Sequence, residues 1–223
     1  EIPAEGSLLG FCMSVSVARA PAPPHVGILM ATYNGAENLD AQLDSFAAQS
    51  HGDWQLLVSD DGSTDTTRTR LADFALKQSH TVEILEGPGL GAAANFMSLL
   101  KRAPGYLPAH SWLAFSDQDD VWLPARLARG VAALQALPDP AQPALFCSRT
   151  WVVDHDLGNR RLSSAWPHPP GFLNALVQNI AAGNTILLNA AGADLLMALA
   201  GEVGPVVMHD WWAYQMISGA GGL

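Results

Sequence analysis

From His25 onward, short continuous apolar runs alternate with stretches whose apolar positions recur every three or four residues. Val26 to Thr32 is one such run, closed by Tyr33-Asn34-Gly35, and predicts a strand buried on both faces that empties into a loop. Ala36 to Gln49 carries Leu39, Leu43 and Phe46 at spacings of four and three, which lays one apolar stripe along a helix. Trp54 to Ser59 predicts a second buried strand, cut off by Asp60-Asp61-Gly62-Ser63, with Ser63 or Asp65 placed to cap a helix to about Gln78. Thr81 to Leu85 predicts a third strand, and the loop Gly87, Gly89, Gly91 leads into a helix ending near Arg102. Trp112 to Phe115 predicts a fourth strand, followed by Ser116-Asp117-Gln118-Asp119-Asp120. Pro124 predicts the first turn of the next helix, where its missing N–H costs nothing.

Four strand–loop–helix units in succession predict an α/β fold, a mostly parallel central sheet flanked by helices. Ligands of such sheets bind beyond the carboxyl ends of the strands. Thr32-Tyr33-Asn34, Asp60-Asp61 and Asp117-Gln118-Asp119 each follow a strand, so the topology brings them to one edge. The second half is less regular. Ala144 to Val153 reads as a strand, Arg160 to Pro170 as a loop holding Trp166 and His168, and Phe172 to Gln178 as a short helix. Ala182-Gly183-Asn184-Thr185 leads into a strand at Ile186 to Leu188, with a helix from Ala191 to Ala200 beyond it. His209-Asp210 opens a last helix bearing Trp211, Trp212 and Tyr214.

Charge and composition narrow the classes. Lys and Arg number 11 against 21 Asp and Glu, a net charge of -10, which opposes nucleic-acid binding and a general basic membrane patch. Hydrophobic residues are 49% and charged residues 14%, so the chain has the means to build a core and is no disordered acidic tail. Its 223 residues suit a single domain, with or without an appendage. Cys12 and Cys147 show neither zinc nor disulfide spacing, which fits a reducing, cytoplasmic compartment. The most apolar long window, Ile180 to Ala200, is interrupted by Asn184, Asn189 and Asp194 and predicts no membrane span. Residues 1–24 have an apolar patch (Leu8 to Cys12) without a basic leader, then a Pro-rich exit; they are expected to be a leader or appended segment without chemistry, with Met13 a candidate start.

The acidic loops admit two readings each. Asp117 and Asp119, two apart past a buried strand, can aim oxygens at Mg²⁺ or Mn²⁺, which takes one or two carboxylates and completes its shell with water and phosphate; the same triplet also describes a solvated acidic loop. Asp60-Asp61-Gly62-Ser63 has turn chemistry, yet a helix rather than a strand follows it, and a carboxylate there can accept hydrogen bonds from a base or ribose. Gly87-Pro88-Gly89-Leu90-Gly91-Ala92 fits a weak dinucleotide fingerprint, but after the third strand rather than the first, and reads as a loop and helix start. Asp210 is either a helix cap or a general base.

The ordered set "VGILMATYNGAENL", "LLVSDDGSTDTT", "GLGAAANF", "FSDQDDVW", "AAGNTILLN" and "HDWWAY" resembles the inverting, GT-A-fold glycosyltransferases of family 2, over about His25 to Gly219. "FSDQDDVW" and "HDWW" are most similar to the bacterial polysaccharide rhamnosyltransferase branch. The resemblance implies a GT-A domain with a nucleotide-binding half at 25–120 and an acceptor-side half at 121–223, shorter at its C-terminus than in many relatives. It implies that Thr32, Tyr33 and Asn34 lie beneath the nucleotide, that Asp61 with its neighbour Asp60 meets the base, and that Asp117 and Asp119 form the Asp-x-Asp motif on Mg²⁺ or Mn²⁺, Asp119 most directly. Asn95, Gly183, Asn184 and Trp211 fall near the sugar or acceptor. Asp210 matches the catalytic base, and His209 stands beside it where many relatives have Glu. The implied donor is a UDP- or dTDP-sugar, and the acceptor a saccharide or lipid-linked saccharide at the inner face of the bacterial inner membrane, with peripheral membrane association. Three other readings are a sugar nucleotidyltransferase, an NAD-dependent dehydrogenase resting on the glycine loop, and a non-catalytic saccharide-binding relative.

Overall fold

The computed structural model describes residues 22–166 and 169–222. Most of the expected leader, with Cys12 and Met13, and also His168, lie outside the described residues. Six strands form the main sheet, in the order Val82–Glu86, Trp54–Asp60, Val26–Thr32, Trp112–Ser116, Leu187–Leu188, Leu145–Phe146. Strands β1 (Val26–Thr32), β2 (Trp54–Asp60), β3 (Val82–Glu86) and β4 (Trp112–Ser116) are parallel. β8 (Leu187–Leu188) runs antiparallel to both β4 and β5 (Leu145–Phe146).

Strand alternation splits the core into two layers. Val26, Ile28 and Met30 of β1, with Leu56 and Val58 of β2, face α1 (Leu39–Ala47), α2 (Thr67–Lys77) and α4 (Arg126–Gln135), meeting Leu43, Phe46, Leu71 and Leu127. Leu29 and Leu57, with Leu113 and Phe115 of β4, face α3 (Ala92–Arg102), α6 (Ala190–Glu202) and α7 (His209–Gly219), meeting Phe96, Leu100, Leu196 and Ile217. Both faces of β1 and β2 are covered, which is why those runs are apolar throughout. Truncating a fully buried leucine such as Leu29 would cost about 2–5 kcal/mol.

Three boundaries depart from expectation for local reasons. α1 starts at Leu39 rather than Ala36 because the Gly35 and Ala36 amides donate to Thr67 Oγ1 and Asp65 Oδ2, drawing that loop onto the start of α2. α4 starts at Arg126, beyond Pro124, because a turn from Leu123 to Arg126 comes first. The single strand expected at Ala144 to Val153 is two: β5 joins the main sheet, whereas β6 (Trp151–Val152) pairs with β7 (Arg161–Leu162) in a separate ribbon. The Arg149 guanidinium on the Ser163 carbonyl and the Thr150 amide on Ser163 Oγ hold that ribbon apart. The short helix α5 is Phe172–Ala175, pinned through Tyr214, whose hydroxyl accepts from the Gly171 amide. Among the described residues no helix is long and apolar enough to cross a membrane, and Cys147 is a free thiol.

Candidate active site

Strand register sets the site. Thr32 pairs with Asp60, and Met30 pairs with Ser116, so β1, β2 and β4 end almost level and their loops share one rim. β8 is antiparallel, so the turn before it (Gly183–Thr185) arrives at the carboxyl end of β4 instead of leaving from it.

The first two loops are stitched together. Asp60 is 1% exposed; its carboxylate accepts from Thr32 Oγ1 at 2.9 Å, Ser63 Oγ at 2.6 Å and the Ser63 amide at 3.0 Å. Asn34, at φ 46°, donates its amide to Ser63 Oγ and accepts from the Thr64 amide. Gln118 clamps the Asp117-Gln118-Asp119 loop to the β1 loop, accepting from the Tyr33 amide at 2.9 Å and donating to the Tyr33 carbonyl at 3.1 Å. A Cβ on Gly35 would sit 2.3 Å from Gln118 Oε1, so the clamp requires glycine there. The Tyr33 ring is 57% exposed over this rim.

Asp61 organises the glycine loop. Its two carboxylate oxygens accept from the Gly89 and Gly91 amides, each at 2.7 Å. Gly89 and Gly91 hold φ of 70° and 88°, the left-handed region that glycine reaches without strain. These amides serve Asp61 rather than standing free as a pyrophosphate cradle, which removes the basis of the dehydrogenase reading.

At the end of β4 the acids crowd one another. Burial first, then Asp120, Asp119 and Asp210, push the Asp117 carboxyl up to about 7. Asp120 is also raised by burial, with Asn184 and Arg126 pulling the other way, and its Oδ2 is buried with no hydrogen-bond partner. Arg126 lies 3.6 Å over the Trp122 ring and donates to the carbonyls of Asn184 and Ile186; its burial lowers the guanidinium to about 9. Among the described residues, no cation lies within ion-pairing distance of Asp117, Asp119 or Asp210.

The fourth wall is the first turn of α7. Asp210 Oδ2 accepts from Asn179 Nδ2 at 2.9 Å and from the Gly183 amide at 3.0 Å, while Oδ1 accepts from the Trp211 amide at 2.7 Å. His209 is stacked on Phe96 at 3.7 Å between centroids and edge-on to Phe115 at 5.1 Å. Burial drops its imidazole to about 4 despite the adjacent Asp210, so the ring is neutral. A Cβ on Gly183 would come within 3.0 Å of His209 Nε2 and 3.3 Å of Asp210 Cβ. The Trp211 indole N–H donates to the Ala175 carbonyl and braces α7 against α5.

Thus Thr32, Tyr33, Asn34, Asp61, Asp117, Asp119, Gly183, Asn184, His209 and Asp210 share one rim. Two expected contacts are corrected. Asp60 is consumed inside the fold as the junction of the first two loops, and Asn95 is 1% exposed, donating to the Ser59 carbonyl. Three residues given no role of their own by the sequence reading hold the site together: Gln118, which it placed only within the acidic loop, and Arg126 and Asn179, which it did not place at the site. Each acts across 58 or more residues of chain, or 31 for Asn179, and no spacing pattern announces such contacts. A groove of about 410 Å³ lies at the opposite edge between Ala103–Ser111 and α6, mostly apolar, and its one acid, Asp194, is paired with His110.

Fold and rim together define a GT-A glycosyltransferase domain. The profile of Glycosyl transferase family 2 matches residues 27–191, and the chain belongs to that family. It is 31% identical over 109 residues to the UDP-Glc:alpha-D-GlcNAc-diphosphoundecaprenol beta-1,3-glucosyltransferase WfgD of Escherichia coli, covering 49% of this chain and 40% of that protein. It is 35% identical over 107 residues to the dTDP-rhamnosyl transferase RfbG of Shigella flexneri, covering 47% and 36%. The matches thus span well under half of those relatives' length. Staphylococcus aureus TarS 1-349, solved in complex with UDP-GlcNAc, superposes with a TM-score of 0.63 over 88% of this chain and 54% of that one, at 14% identity, and shows the shared fold.

Proposed function

We propose that this chain transfers a sugar from a nucleotide-diphosphate sugar to an acceptor hydroxyl with inversion, in bacterial cell-surface polysaccharide synthesis. The observation that carries the reading is the convergence of Asp117, Asp119, Asp120 and Asp210 at one rim, where burial first and the neighbouring acids second push Asp117 up to about 7 and where, among the described residues, no cation lies within ion-pairing distance. Natural chains rarely gather buried acids without a compensating charge. A divalent cation supplies that compensation, and in turn holds the diphosphate that the acids alone would repel.

The residues fit Mg²⁺ or Mn²⁺. Among the described residues no three acidic, His or Cys side chains form a ready-made cage, and such ions need only one or two carboxylates when phosphates complete the shell. Asp119, with Asp117, would hold the ion, which when bound offsets the charge growing on the departing diphosphate. Tyr33, Asn34 and Asp61 supply the nucleotide side of the rim. Asp210, on the opposite wall, takes the acceptor hydroxyl proton as the new glycosidic bond forms and the bond to the diphosphate breaks. Gly183 and Asn184 lie between these walls, where sugar and acceptor meet. The donors named for the two relatives support a UDP- or dTDP-sugar, and the E. coli relative's diphosphoundecaprenol acceptor supports a lipid-linked saccharide met at a membrane surface.

The test is Asp210→Asn. With UDP-glucose or dTDP-rhamnose and Mn²⁺, nucleotide affinity stays within about twofold while turnover falls on the order of 10²–10⁴-fold. Near-normal turnover would refute the base, and the transferase reading loses its chemistry.

A further inference from the structure

Asp210 is held by more than its own helix. A carboxylate oxygen offers two lone pairs. On Oδ2 both are taken, by Asn179 Nδ2 at 2.9 Å and the Gly183 amide at 3.0 Å. Oδ1 accepts only the neighbouring Trp211 amide, at 2.7 Å, and keeps one pair free. The Asn179 amide is itself oriented, because its Oδ1 accepts from the Ala181 amide at 3.1 Å, which turns the NH₂ group toward Asp210. Asn179 sits in the segment leading to Gly183 and Asn184, and the Asn184 carbonyl is gripped by the buried Arg126. One stretch of eight residues, 179–186, therefore ties the wall bearing Asp210 to Arg126 at the start of α4 and, through the Asn184 side chain, to Asp120 of the acidic loop.

Resting on the base assignment above, we propose that Asn179 is a positioning residue for Asp210: it saturates Oδ2 together with the Gly183 amide and leaves Oδ1 as the single oxygen that receives the acceptor's proton. Asn179 touches no reacting atom in this account. Its effect passes wholly through the orientation of one carboxylate, and a misplaced base can cost about 10²-fold.

That dependence makes the proposal testable by a double-mutant cycle. Release of UDP from UDP-glucose and of dTDP from dTDP-rhamnose, with Mn²⁺ and with water or added saccharide as acceptor, is followed in the wild type, Asn179→Ala, Asp210→Asn and the double variant. Asn179→Ala should lower kcat about 10–100-fold with the donor KM unchanged, and should lower it no further in the Asp210→Asn background. Asn179→Ser, which keeps a donor, should recover part of the loss. An equal loss in both backgrounds would show that Asn179 acts independently of Asp210 and would overturn the proposal. A crystal structure of Asn179→Ala decides the point without turnover: the Asp210 carboxylate should rotate away from the Gly183 amide, and an unmoved carboxylate also overturns the proposal. A wild-type protein that releases nucleotide from neither donor counts against the transferase reading instead, and the carboxylate orientation still tests Asn179.

Discussion

His209 is neutral because its ring has left water for the faces of Phe96 and Phe115, and burial outweighs the attraction of the Asp210 charge beside it. The unfolded chain takes up a proton near pH 6.5, whereas the folded chain resists until about 4. Between those values the unfolded state binds more protons, so stability is complete above pH 6.5 and drains away as pH falls toward 4. At about 1.4 kcal/mol per pKa unit, the loss is on the order of 3 kcal/mol. His209→Gln should remove most of that dependence, seen as urea midpoints that change less between pH 7 and pH 4.5 than those of the wild type. Equal slopes in both proteins would show that the imidazole is not the group responsible. At this scale Asp61, Asp117, Asp119 and Asp210 were readable from the sequence because each follows a strand or opens a helix. Asn179 was not: its partner lies 31 residues away, and an asparagine between Gln178 and Ile180 carries no local signature.

The elements differ in how tightly they constrain their own loops. The glycine loop after β3 packs on Asp61 so closely that a Cβ on Gly87 would lie 2.6 Å from Asp61 Oδ1 and 2.9 Å from Asp61 Cα. Backbone is the obstacle there, so the loop must shift, at a cost of about 1–3 kcal/mol. Gly87→Ala should weaken UDP and dTDP binding about tenfold or more while far-ultraviolet circular dichroism stays native. Gly52→Ala, where nothing lies within 4 Å, is the control and should leave nucleotide affinity unchanged. Equal affinities in the two variants would detach the glycine loop from the nucleotide wall. The first four strand–helix units were legible because β1, β2 and most of β4 are buried runs and the helices carry an apolar stripe, while the edge strand β3 is only partly covered. The acceptor-side half was less so. Its strands are two residues long, too short for any periodicity, and their partners are fixed by side chains such as Arg149 reaching across to Ser163.

Over the whole molecule, two core layers hold four parallel strands level, and that level edge turns dispersed sequence motifs into one acidic rim. The antiparallel β8 closes the rim by returning Gly183 and Asn184 to it, and α7 brings Asp210 opposite the Asp117–Asp120 loop. The fold alone brings four acids of a chain of net charge -10 to one place, and the proposed cation is what would offset them there. Calorimetric titration of UDP and dTDP with and without Mn²⁺, in the wild type and Asp119→Ala, tests this most directly. Mn²⁺ should tighten nucleotide binding to the wild type by about tenfold or more, about 1.4 kcal/mol, and do so weakly or not at all in Asp119→Ala. Identical affinities for the wild type with and without Mn²⁺ would contradict it.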